Sequence, residues 1–250
     1  MRNYFALSLC LLISTSASYA QNSHWNIYAK TGIQVGGPLY KSPSIVSKSG
    51  SPGFNPILGA GFSYAITKKL SIAAEAFYSR RKINYSSEVK DQNYIDHNTL
   101  IINNQSITFD VSTTFTGTTK GTFDSHYIEM PILLQYAFGN KWQIHAGMYY
   151  AWAFNKTNKG TATGIVGRTD IQDPNTVTDK EYNYSKEMTS RYYGFVAGTQ
   201  YQLSSAFALE VRATYSLKSL YKEEWEGIPY TLKDLYGQLT VKYYFIRPKA

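Results

Sequence analysis

Cysteine is nearly missing from this chain: of 250 residues only Cys10 is one. It lies in a segment expected to be cleaved away, so the mature protein has no disulfide and no thiolate metal site. Histidine is almost as scarce, at four residues. His24, His97 and His145 stand far apart and show no metal-ligand spacing. Beyond residue 20 there is no apolar run of the roughly 20 residues that a membrane helix needs. No helical period is evident, and no glycine-rich loop leads into one, which excludes the common phosphate-cradling folds. Membrane insertion must then be by a closed β-barrel, the other structure that satisfies its backbone in lipid. No cofactor is expected.

What is present begins with an export signature. Arg2 precedes an apolar core from Tyr4 to Ile13, and Ser18-Tyr19-Ala20 is a small-x-small cleavage site. Residues 1–20 are read as a signal peptide and 21–250 as one domain, since no Pro- or Ser-rich linker divides them. Leu9 stands before Cys10 where a lipoprotein signal has a small residue. The formal net charge is +8. The lysines and arginines are scattered rather than clustered, which argues against nucleic acid. A basic surface suits anionic lipids or glycans.

Between residues 24 and 246 lie eight stretches in which polar and apolar residues alternate: about 24–35, 56–66, 70–83, 123–138, 142–154, 189–203, 207–220 and 234–246. Period-two alternation marks strands with one apolar face. In the seventh, Phe207, Leu209, Val211, Ala213, Tyr215 and Leu217 oppose Ala208, Glu210, Arg212, Thr214 and Ser216. Most stretches are eleven residues or longer, the length of a tilted membrane strand of about 9–11 residues rather than a soluble one of about 5–6. Three connections are very short: Thr67-Lys68-Lys69, Gly139-Asn140-Lys141 and Ser204-Ser205-Ala206. Four are long and polar: 36–55, 84–122, 155–188 and 221–233. That alternation of short turns and long loops is the pattern of a bacterial outer-membrane barrel, with turns in the periplasm and loops outside.

Two features set the faces. The polar faces carry Gly, Gln, Ser and Thr with isolated charges, whereas a surface in water needs about 25–35% Lys, Arg, Glu and Asp. Aromatics gather at both ends of the apolar faces: Trp25, Trp142, Phe207 and Phe245 at the turn end, and Tyr78, Trp152 and Tyr215 at the loop end. These predict a double interfacial girdle. A soluble lipocalin-like barrel with an apolar lumen is the alternative. Residues 98–115, with apolar runs flanking Asn103-Asn104, predict a hairpin that continues the wall beyond the membrane.

The fourth stretch reads Tyr127-Ile128-Glu129-Met130-Pro131-Ile132-Leu133-Leu134-Gln135-Tyr136. It resembles the Y-L-E-I-P-L-L-L-K-Y strand of the PorT-like outer-membrane β-barrel family of Bacteroidetes. Met130 and Gln135 stand where that family has Ile and Lys. Leu70-Ser71-Ile72-Ala73-Ala74-Glu75-Ala76-Phe77-Tyr78 and Leu58-Gly59-Ala60-Gly61-Phe62 are similar to its neighbouring strands. The resemblance covers the whole mature chain and implies the same barrel. One branch of that family is associated with type IX secretion and gliding.

Parity places Lys30, Glu75, Arg81, Glu129, His145, Glu210, Arg212 and Lys242 on the polar face. Buried charges persist when paired, so Lys30, Glu75, Glu129, Glu210, Arg212 and Lys242 predict a polar network filling a narrow lumen. Arg212 and Lys242 are the expected partners of Glu129 and Glu210. The rival readings are a barrel enzyme acting on lipid, using Ser125 and His126 beside Asp124, and a small-solute pore. Ser125 and His126 are neighbours on one strand and point to opposite faces, which defeats a nucleophile–base pair. Asp170, Asp173 and Asp179 are a candidate calcium cluster. The chain is thus expected to be an eight-stranded antiparallel up-and-down transmembrane barrel with periplasmic termini and without enzymatic activity. Its partners are outer-membrane lipid and a protein met through the loops. Its role is a structural or adhesion surface, or a subunit of an envelope or secretion assembly.

Overall fold

The computed structural model describes residues 24–39, 42, 44–102, 105–168, 175–228 and 231–246. The expected signal segment, 1–20, lies outside the described residues. Ten strands form one sheet: β1 (Trp25–Leu39), β2 (Ile45–Pro52), β3 (Pro56–Ala65), β4 (Leu70–Ile102), β5 (Gln105–Phe138), β6 (Trp142–Arg168), β7 (Asn175–Asn183), β8 (Arg191–Gln202), β9 (Phe207–Ser216) and β10 (Lys233–Ile246). Eight of them close a ring in the order β1-β3-β4-β5-β6-β8-β9-β10, with every pairing antiparallel and β10 returning to β1. This is the expected up-and-down barrel. Closure removes both sheet edges, which is what lets strands sit in lipid.

The three short turns fall where the sequence places them. Thr67 caps the first: its Oγ1 accepts from the amides of Leu70 at 3.0 Å and Lys69 at 3.2 Å. Gly139 takes φ +70°, a left-handed turn position that a side chain resists. Ser204 Oγ accepts from the Phe207 amide at 3.2 Å in the third.

The long connections differ from expectation. Three of the four are mostly strand. β4 and β5 run as one ladder from Leu70↔Tyr136 to Ile102↔Gln105, so the hairpin expected at 98–115 is the tip of a much longer one. β6 continues to Arg168 along β5. β2 adds to the outer flank of β4, and β7 to that of β6. The result is a five-stranded wall, β2-β4-β5-β6-β7, standing on the barrel's loop end. Its segments are rich in Thr, Ser, Gly and Tyr rather than alternating, because both faces of a wall in water tolerate polar residues. The period-two signal is lost while the β-propensity of Thr and Tyr persists. Two of the wall's register shifts are centred on residues with positive φ. Asp91 (φ 49°) exchanges hydrogen bonds with Thr116 at 2.9 and 3.1 Å, and Asp179 (φ 47°) does the same with Thr163.

The fourth connection folds inward. Leu220, Tyr221 and Leu232 are buried with Met188, Tyr192 and Tyr127, and Trp225 and Ile228 pack on them. The Leu220 amide donates to Leu232 O at 2.7 Å, and the Lys222 amide to Glu187 O at 2.9 Å. Residues 217–228 with 231–232 therefore form a lid over the loop-end mouth.

Candidate functional site

The apolar face points out. Ile33, Leu58, Ile132, Leu134, Met148, Phe195, Val211 and Leu239 are all exposed to the surroundings, while the polar positions between them are buried. Trp142 and Trp152 stand ten residues apart on β6 and are both exposed. That spacing is about 33 Å of strand and about 25 Å once tilted, the height of the apolar band of an outer-membrane barrel. At the turn end Trp25 packs on Tyr64 with centroids 4.8 Å apart, Trp142 on Tyr201 at 4.8 Å, and Phe207 and Phe245 each on Tyr243 at 5.1 Å. At the loop end Tyr78 meets Phe154 at 6.4 Å and Trp152 meets it at 6.1 Å. Tyr215 lies half-buried, opposite Phe195.

Inside, the charges form two layers. The layer nearer the turns contains Lys30, Glu75, Glu210, Arg212 and Lys242. Lys30 and Lys242 face each other directly across the closing β1–β10 ladder, an arrangement that repels on its own. Two carboxylates resolve it. Glu75 accepts from Lys30 at 3.1 Å, Lys242 at 3.1 Å, both terminal nitrogens of Arg212 at 2.9 Å, and Tyr28 OH at 2.8 Å. Glu210 takes Lys30 at 3.2 Å, Thr240 Oγ1 at 3.1 Å, and both Arg212 and Lys242. Lys30, Glu75, Glu210 and Lys242 have 0% side-chain exposure. Gly61 is required here: a Cβ on it falls 2.8 Å from both the Glu75 side chain and the Tyr28 ring. Gly198 clears His145 and Arg212 in the same way. His145 is buried beside this layer.

The second layer lies nearer the loops. Arg81 donates to Glu129 at 3.0 Å and to Asp234 at 3.1 Å. Its guanidinium sits between the rings of Tyr127 and Tyr236, 4.7 and 4.6 Å from their centroids. Ser79 also donates to Glu129. The expectation that Arg212 or Lys242 pairs with Glu129 is therefore corrected: Glu129 belongs to Arg81, one layer up. The reason is register. Glu129 stands opposite Phe77 while Glu75 stands near Gly61, so the two carboxylates enter the lumen at different heights. Asp234, the first residue of the last predicted strand, joins the network although it was not among the residues expected in it. Together the layers hold four cations and four carboxylates, a balance that lets them stay buried.

The layers separate two openings. At the turn end is a small polar recess of about 90 Å³ among Gln135, Gln143, Gln200, Gln202 and Tyr244. At the loop end the wall encloses a vestibule of about 930 Å³. All five wall strands line it, together with the ends of β1 and β10 and the lid. Its surface is aromatic and aliphatic: Tyr85, Phe115, Phe123, Tyr182, Tyr184 and Tyr221 with Val89, Val177, Ile228 and Leu232. Tyr85 stacks on Phe123 at 4.8 Å and Tyr182 on Tyr184 at 4.9 Å. Burial pushes the Tyr182 phenol up to about 12 and raises that of Tyr85, so both remain neutral donors.

A family model described as outer membrane protein beta-barrel domain matches residues 19–222. The chain belongs to that family. It is an integral protein of the bacterial outer membrane. No curated protein sequence matches it. Among solved structures it is similar to Ail, the attachment invasion locus protein of Yersinia pestis, solved with the heparin analogue sucrose octasulfate. The identity there is 8%, 88% of this chain and 99% of that one are covered, and the TM-score is 0.41. Neisserial surface protein A is similar at 12% identity, with 88% and 97% covered and a TM-score of 0.38. OprG from Pseudomonas aeruginosa is similar at 12% identity, with 91% and 99% covered and a TM-score of 0.38.

The remaining candidate residues of this outer-membrane barrel separate in space. Ser125 faces the lumen opposite Arg81, whereas His126 faces outward and shares a hydrogen bond with Tyr78 OH at 2.8 Å. Asp124 is held by Arg80 through two bonds at 2.9 and 2.5 Å, and that arginine keeps its carboxyl below the usual range. Of the calcium cluster, Asp170 and Asp173 lie outside the described residues, and Asp179 serves the β7 bulge. The vestibule went unread because its lining is spread over the segments taken as loops. The signal was there in Tyr85, Tyr94, Tyr182 and Tyr184, aromatics too numerous for solvated loops.

Proposed function

We propose that this outer-membrane barrel is a non-enzymatic scaffold whose extracellular β-wall is the working surface. The observation that carries the reading is the length of the β4–β5 ladder. Strands of 33 and 34 residues cross a membrane that needs about 11, which leaves roughly 70 Å of strand contour beyond it. So much ordered backbone serves contact with something outside the cell. The role is that of a structural or adhesion surface, or of a subunit in an envelope or secretion assembly. Residues 1–20 act as the signal peptide, and both termini face the periplasm. The separation of Ser125 from His126 supports the absence of hydrolase chemistry. The lumen charges, stripped of solvent, support a closed barrel rather than a pore.

The finer kinship with the PorT-like branch is supported by the Tyr127–Tyr136 strand. There Tyr127 and Glu129 point inward, and Pro131 interrupts the β4 ladder, because proline has no amide hydrogen to donate. The wall is tested by replacing residues 93–114 with a two-residue turn. Insertion and heat-modifiable gel mobility should be kept, while surface attachment or a co-purifying envelope partner is lost. Retention of both attachment and every partner would refute the wall's role.

A further inference from the structure

The vestibule has a chemistry of its own. It is roughly three-fold larger than the smallest ligand pockets and lies within the range that takes drug-sized molecules. Its aromatic rings are presented as faces, not as donors. Tyr85 OH is engaged with Asn158 Oδ1 at 2.9 Å and with Tyr182 OH at 2.6 Å. Tyr182 OH reaches Lys120 O at 3.3 Å, and Asn158 Nδ2 donates to Tyr221 OH. The phenol oxygens of Tyr85, Tyr182 and Tyr221 are consumed by this chain of bonds. Ser49, Ser87, Gln92, Thr119 and Asn175 also reach the space, but the stacked pairs Tyr85–Phe123 and Tyr182–Tyr184 make ring faces its broadest feature. A flat apolar body is well served by such a lining.

Charge supplies the second half. Among the described residues, the charged ones lining the vestibule are Lys48, Arg168, Lys180 and Glu181, three cations against one carboxylate. Lys48 stands on β2 and Lys180 on β7, the two edge strands of the wall, so cations flank its open side. Glu181 lies beside Lys180 in the chain. The tyrosine phenols add no negative charge, since the hydrogen-bonded pair is neutral. The interior is therefore apolar and its rim is basic.

We propose that the vestibule is a binding site for a small anionic amphiphile, a flat apolar body bearing one carboxylate or sulfonate. The body lies against Tyr85, Phe115, Phe123 and Tyr182, and the acid meets the lysines at the rim. This site is the inner surface of the wall. It rests on the wall's being outside the membrane but not on the outward contact proposed above. The lid residues Tyr221, Ile228 and Leu232 form part of its floor, which places the ligand directly over the sealed lumen.

The test uses the full mature chain in lipid nanodiscs and 2-naphthoate as probe, followed by calorimetric titration against empty discs. Saturable binding at one site per barrel is expected, at least tenfold tighter than that of 2-naphthylmethylamine, its cationic counterpart. Ala162 lines the cavity, and Ala162→Trp should weaken binding tenfold or more with heat-modifiable mobility kept. Should that variant fail to fold, Val177→Trp fills the same space from the neighbouring edge strand β7. Lys48→Gln with Lys180→Gln should weaken the acid severalfold and strengthen the amine, narrowing the gap between them. Binding no greater than to empty discs overturns the proposal. So does equal affinity for acid and amine, tighter binding of maltotriose, or indifference to both cavity-filling variants. Loss of attachment on replacing 93–114, with naphthoate binding intact, separates the outward surface from this site.

Discussion

Glu210→Gln is the sharpest perturbation that the lumen offers. Glu210 contacts Lys30, Arg212, Lys242 and Thr240, and no water reaches it. In the native layer three cations share two carboxylates. The substitution keeps size and one acceptor oxygen but leaves Glu75 alone against three positive charges. Breaking a buried ion pair costs about 3–5 kcal/mol, because the surviving charge stays buried without compensation. The whole of that range is expected here, since three cations lose the same partner. The assay is folding into lipid vesicles across a urea series, read by heat-modifiable gel mobility. Pairing it with Lys242→Met provides the internal control. The double variant restores the original charge excess, so it should recover about 1–3 kcal/mol relative to the sum of the singles. A loss below about 1 kcal/mol for Glu210→Gln, or strict additivity in the double variant, would refute the charge-balance reasoning.

Other consequences are checked in the same vesicles or on cells. Glu129→Gln should destabilise less than Glu210→Gln, because Arg81 keeps Asp234 at 3.1 Å; the reverse order would remove Asp234 from the network. Val211 and Ile165 are both outward and about half exposed, but only Val211 lies in the membrane band. Val211→Arg should cost about 2–4 kcal/mol and Ile165→Arg almost nothing, and equal costs would move the membrane boundary. Thr163→Cys should react with an impermeant maleimide on intact cells and Asn140→Cys only after the outer membrane is opened; the opposite pattern inverts the orientation. A Cβ on Gly227 falls 2.3 Å from the Trp225 ring, so Gly227→Val should displace the lid and expose 217–228 to added proteinase without loss of insertion. Unchanged proteolysis there would show that Trp225 does not hold the lid.

The local code of this barrel was legible along the chain. Alternation at Phe207, Leu209, Val211 and Ala213 against Ala208, Glu210 and Arg212 fixes which side chains share a face. Three short turns and a strand length suited to a membrane fix the up-and-down order. Parity grouped Lys30, Glu75, Glu129, Glu210, Arg212 and Lys242 on one face, and the Gly-, Gln-, Ser- and Thr-rich make-up of that face with the aromatics at the ends of the other turned it inward. The partners within that face were a different matter. Glu129 finds Arg81 and not Arg212 because height in a tilted barrel depends on the register of every intervening ladder, a sum that no single strand encodes. Lys30 and Lys242 become a liability, and Glu75 and Glu210 their remedy, only when the last strand closes on the first. The wall was hidden for another reason. Thr113 to Thr122 and Thr157 to Arg168 have no apolar alternation, since in water neither face must be apolar, and only pairing with each other makes them strands. The vestibule follows from that pairing. Tyr85, Phe115, Tyr182 and Tyr221 come from four separate segments, and curvature alone brings their rings around one space.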